Sequence, residues 1–129
     1  MLVGAIAGLS LFVTVSVNQN ALAPSGLGAA DAQLSMAQKT AAMRPLVASA
    51  TDCIVKNVSE NPRFQDALTQ GTIGDLIVDS VGSCVQPVRA MISAHDRYFG
   101  EGSGEAFFMG PYLDVLPRTV TKNAKAVAQ

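Results

Sequence analysis

Residues 72–99 read TIGDLIVDSVGSCVQPVRAMISAHDRYF, and this stretch decides the fold. Ile73, Leu76, Ile77, Val81, Cys84, Val88, Met91, Ile92, His95, Tyr98 and Phe99 recur in steps of three and four. That spacing collects side chains on one face of an α-helix. Val, Ile and Gly are frequent between 73 and 85, which keeps a strand in view, but the alternation by twos that a half-buried strand needs is absent. Thr72 is placed to cap the helix, and Asp75 three residues later completes a weaker capping box. Pro87 lies inside the stripe, where it removes a backbone donor and crowds the preceding turn. The stripe keeps its phase across the proline, so the sequence predicts one helix bent near residues 83–86 rather than two unrelated ones.

Upstream, Leu46, Ala50, Cys53, Ile54 and Asn57 or Val58 repeat at helical spacing until Asn61-Pro62 stops the run, because a residue before proline avoids the α region. Pro45 suits the first turn of that helix. Asp31 to Met43 reads as a separate short alanine-rich helix behind a flexible leader over 24–30, and Phe64 to Thr69 as a short piece closed by Gly71. The fold class is therefore all-α: a small helical domain of three to five helices with a Gly/aromatic-rich C-terminal segment.

The chain has two cysteines, Cys53 and Cys84, each on the apolar side of one long helix. A bridge between them staples the two helices together. The alternative is a pair of buried thiols in a reducing compartment.

The choice turns on the N-terminus. Residues 1–30 carry no charged side chain, and Leu2 to Val17 is an apolar run of signal-peptide length, shorter than the roughly 20 residues of a membrane span. Ala21-Leu22-Ala23 follows a polar stop and offers a signal peptidase the small residues Ala21 and Ala23. Against cleavage stand Pro24 just after the scissile bond and the absence of Lys or Arg ahead of the run. Both a cleaved signal peptide and an uncleaved membrane anchor fit residues 1–23, followed by a leader and short helix over 24–44 and a helical domain over 45–129. The expected location is periplasmic or secreted, or anchored to a membrane by the N-terminal segment.

With ten acids and nine bases the net charge is −1, so no field of one sign recommends nucleic acid as a partner. After Asp114 only Arg118, Lys122 and Lys125 are charged, and Val120, Ala124 and Val127 form a thin stripe opposite them. Membrane contact is thus expected only through residues 1–23 or this basic tail, whose plainer reading is a last helix with cations offsetting its dipole.

Five of the seven aromatic side chains, Tyr98, Phe99, Phe107, Phe108 and Tyr112, fall beside the glycine run Gly100-Glu101-Gly102-Ser103-Gly104. They form either the plug of the core or an exposed patch for a partner. No catalytic constellation is visible. The glycine run lacks the lysine of a phosphate loop and carries Glu101 and Glu105. His95 stands 11 residues from Cys84 on one helix, about 16 Å away, and two distant cysteines with one histidine make no zinc site. The sequence implies no cofactor and no metal. The expectation is a non-enzymatic exported protein that binds another protein or an envelope component through the aromatic segment. A carrier of a small apolar ligand held between helices is the first alternative, and an enzyme of unknown class the second.

Overall fold

The computed structural model describes residues 33–127, and these form helices joined by short turns. The apolar run, the leader and the cleavage positions Ala21 and Ala23 lie outside the described residues.

Helix α1 spans Met36–Ser59. Its start is fixed by Ser35, whose Oγ accepts the Gln38 N–H at 3.2 Å while Gln38 Oε1 accepts the Ser35 N–H at 2.8 Å, a reciprocal capping box. Pro45, expected in a first turn, instead sits inside this helix, and the separate Asp31 to Met43 helix is its N-terminal part. The physical reason is shared burial. Met43 before the proline and Ala50, Ile54 and Val58 after it are buried in one core, which offsets the roughly 3 kcal/mol that an interior proline costs.

Asn61-Pro62 ends α1 as expected. The Asn61 Oδ1 accepts the Arg63 N–H and its carbonyl accepts the Phe64 N–H, both at 2.9 Å, which turns the chain into α2, Phe64–Gln70. Gly71 then adopts φ 72°, the left-handed stop that glycine takes without a steric penalty. Helix α3 spans Ile73–Val81, a 3-10 turn covers Gly82–Cys84, and α4 spans Val85–Phe99. The break thus falls where the proline predicts, and Pro87 lies in the first turn of α4, where a missing N–H leaves no intrahelical bond unmade. Thr72 does precede α3, but its side chain makes no capping bond. Its backbone (φ −102°, ψ 23°) is not the extended form that aims a hydroxyl at the first turn, and its carbonyl accepts the Asp75 N–H instead. The chain doubles back at Gly100 and Gly102, continues through α5 (Ser103–Phe107) and a π-turn at Phe108–Tyr112, and ends in α6, Leu113–Val127.

Helix α1 is the central element, packed against α3, α4 and α6. Ile54, Leu76, Met91, Leu116 and Val120, drawn from all four, are at most 2% exposed. The four helices of nine residues or more match the expected all-α class. The Cys53–Cys84 disulfide links α1 to the hinge between α3 and α4 across a Cα–Cα distance of 5.9 Å, and such a bond suits an oxidising compartment. Asn57 Nδ2 donates to the Cys53 carbonyl at 2.9 Å and rests 3.4 Å from Cys84 Sγ.

In the C-terminal helix Leu116 and Val120 are buried and Ala124 packs on the core, while Arg118, Lys122 and Lys125 face solvent. No helix among the described residues is long and apolar enough to cross a membrane.

Because the bridge closes a 31-residue separation, reduction is expected to remove about 3 to 4 kcal/mol of stability in the loop-entropy model. Thermal unfolding with and without a reductant should show the midpoint fall by more than about 10 °C; an unchanged midpoint would mean that the packing alone holds α1 to the hinge.

Candidate functional site

The glycine run is a docking device rather than a ligand cradle. Gly104 lies buried against α4, and a Cβ there would collide with the Ile92 carbonyl oxygen and crowd Asp96. Asp96 Oδ1 accepts the Gly104 N–H at 2.7 Å. The Ser103 hydroxyl donates to the His95 carbonyl at 3.2 Å and lies 2.8 Å from His95 Nδ1. Which atom donates in the Ser103–Nδ1 contact follows the imidazole tautomer. This serine and histidine lie within hydrogen-bond reach of each other, and together with the Asp96–Gly104 contact they clamp the turn onto α4.

That clamp orders a stack of rings. The His95 ring centroid lies 4.6 Å from that of Phe99 and 4.7 Å from that of Phe107. Burial lowers the His95 pKa below its usual value, against the opposing charge of Asp96. Across from the rings stands α1, and together they form an open groove of about 300 Å³ lined by Thr40, Met43, Arg44, Val47, His95, Phe99 and Phe107.

The five aromatic residues expected to bind a partner do not make one patch. Phe99 and Phe107 line the groove just described. Phe108 belongs to a second groove of about 410 Å³ on another face, with Val81, Val85, Val88, Arg89 and Ile92. Tyr98 lies outside both, its ring 5.0 Å from the Arg97 guanidinium. Tyr112 is not exposed at all. It is 3% accessible, with its hydroxyl 3.1 Å from Thr51 Oγ, and burial raises its pKa while the Thr51 bond opposes that shift. Its place is in the core, because the turn that follows Phe108 rolls it toward α1.

Two features were missed in the sequence. Met43 and Val47, the far wall of the first groove, belong to the stretch that was split at Pro45. The second groove is lined by Val81, Val85, Val88, Arg89, Ile92 and Phe108; Val81, Val88 and Ile92 sit at the edge of the stripe already read, and Val85 is the addition to it. Its signal was an excess of valine over what one helix face can bury, and Val78 and Val85 are 64% and 38% exposed. No group of three or more potential metal ligands exists among the described residues.

The fold and these grooves define a small, disulfide-closed all-α domain. No protein-family model matches the chain, and no curated protein or solved structure matches it significantly.

Two outcomes follow from the clamp. Gly104→Ala is expected to cost about 1 to 3 kcal/mol, since the obstacle is backbone, whereas exposed, unobstructed Gly74→Ala in α3 should stabilise by up to about 1 kcal/mol. Denaturant titration of both variants checks the contrast. The second concerns acid. A histidine whose pKa is lowered on folding lends stability that is present above its unfolded value near 6.5 and lost as pH falls below it. His95 is the chain's one histidine, so unfolding midpoints should drop between pH 7.5 and pH 5.5, and His95→Asn, which keeps a hydrogen-bonding group toward Ser103, should flatten that drop.

Proposed function

We propose that this chain is an exported, non-enzymatic module that docks another protein on the face where Phe108 meets the Val81–Ile92 stripe. The observation that carries the reading is the stripe itself. Val81, Val85, Val88 and Ile92 repeat as the seam of a helix pair does, yet among the described residues the groove they bound with Phe108 stays open. Met109, beside Phe108, and Val115 are 62% and 51% exposed, which extends the apolar material of the aromatic segment outward. A domain that leaves such residues in water forgoes their burial energy, and an open apolar groove is where a partner would recover it. Export is supported by the disulfide and by the uncharged apolar run at residues 2–17. The polar groups that do converge, Ser103, His95 and Asp96, are used in holding the turn, which favours binding over catalysis.

A photo-crosslinking amino acid placed at Val85 in the native cells tests the reading, with intact mass of the recovered chain giving its N-terminus and compartment. The expected result is one discrete heterologous adduct that disappears when Phe108→Asp is added and that does not form from solvent-exposed Gln65. No adduct, or an adduct insensitive to Phe108→Asp, would overturn the docking face. A full-length cytoplasmic chain with free thiols would overturn export.

A further inference from the structure

The other groove has a different chemistry, and we infer that it is a binding site for a free medium-chain carboxylate, with the alkyl chain against Met43, Val47, Phe99 and Phe107 and the head group at Arg44. This site lies apart from the face proposed above for a protein partner. Its walls come from two elements fixed independently of any ligand: α1, and the α4–α5 turn clamped by Ser103 and Asp96. The His95, Phe99 and Phe107 rings give a rigid, flat wall, and Met43 and Val47 supply aliphatic cover opposite.

Basic side chains outnumber acidic ones around this trough, with Arg44 and Lys39 set against the single carboxylate of Asp96, which is felt at His95. Arg44 lines it and has no carboxylate partner among the described residues. Lys39 holds its Nζ 5.9 Å from the centroid of the Phe99 ring, which forms part of the wall. Among the described residues no acidic side chain lines the groove, and the carboxylate next to its ring wall in sequence, Asp96, accepts the Gly104 N–H. An apolar trough with an arginine in its lining and a lysine ammonium beside it complements an amphiphile with one anionic head. A carboxylate matches best, because its two oxygens meet the two parallel donors of a guanidinium. Size favours a small molecule. The volume of about 300 Å³ stands at the lower end of small-molecule sites, and a stable protein contact needs roughly 800 Å² from each partner. A chain of about eight to twelve carbons is the matching length for a site of that class.

Isothermal titration of the protein recovered from its native cells tests this, with dodecanoate, dodecanol and dodecyltrimethylammonium each below its micelle concentration. Dodecanoate should bind at one saturable site, dodecanol at least about tenfold more weakly, the worth of one charge-assisted hydrogen bond, and the cationic amphiphile not measurably. Arg44→Gln should bring dodecanoate down to the affinity of dodecanol and leave dodecanol unchanged. Val47→Trp, which fills the trough from a partly exposed position, should abolish both while helicity and thermal midpoint persist. Equal binding of all three amphiphiles, or an Arg44→Gln variant that binds dodecanoate as before, would overturn the assignment. So would a groove that takes an acidic amphipathic peptide but no dodecanoate, or a concentration-dependent dimer that Val47→Trp dissolves.

Discussion

The Cys53–Cys84 bridge ties the C-terminal third of α1 to the point where the α3–α4 stripe bends. A helix pair joined at its hinge has little freedom left. Both arms must lie along α1, and the apolar faces of both then close on the same side chains, with Ile54 and Val58 fully buried beside the link. The hinge is where packing alone would be weakest, since the 3-10 turn at Gly82–Cys84 interrupts the helical bonding and exposes Gly82 and Ser83. A covalent bond at that position holds the least self-supporting backbone of the pair, and Asn57 fills the polar requirement beside the sulfurs by donating to the Cys53 carbonyl. The first groove depends on this arrangement, because its two walls are the N-terminal half of α1 and the far half of α4.

The second constraint is backbone against backbone. Gly104 approaches the Ile92 carbonyl more closely than any side chain allows, so α5 leaves α4 at a fixed place and the aromatic segment begins from a fixed point. The two glycines with positive φ at 100 and 102 make the reversal. Gly104 makes the contact, and Asp96 satisfies the N–H that the close approach would otherwise strand.

Much of this was legible from spacing. The core stripe of residues 73–99, the bend ahead of Pro87, the stop at Asn61-Pro62 and the reach of Cys53 toward Cys84 all follow from local rules that tertiary packing then reinforces. Pro45 was misread because its local preference for a first turn is real but smaller than the gain from burying Met43 and Ala50 on one continuous face. Ser35-Met36-Ala37-Gln38 carried the correct start, a serine with glutamine three residues later, and it outweighed the proline. Thr72 failed as a side-chain cap for a reason the sequence does not contain, the backbone angle imposed by the turn from Gly71. The grooves were legible only in part, since a groove needs a second wall and its position is a property of the assembled helices.

The aromatic cluster shows why closeness in sequence is not closeness on a surface. Adjacent residues on a helix point about 100° apart, so Phe107 and Phe108 cannot face one groove, and they serve the two different ones. Pro111 then matters. Lacking an N–H, it cannot continue the α ladder, and the helix widens into the π-turn of Phe108–Tyr112. Widening brings the residue five places on from Phe107 round to the side where the residue four places on from Phe108 also lies, and that residue is Tyr112 in both cases. Its ring is 6.0 Å from that of Phe107 and 5.8 Å from that of Phe108, while its hydroxyl reaches Thr51 on α1. The buried tyrosine therefore packs behind both rings, Phe107 in a groove that is aromatic and edged by cations and Phe108 in one that is largely aliphatic. A segment whose aromatic residues lie together in sequence is divided, once wound, between two grooves and the core.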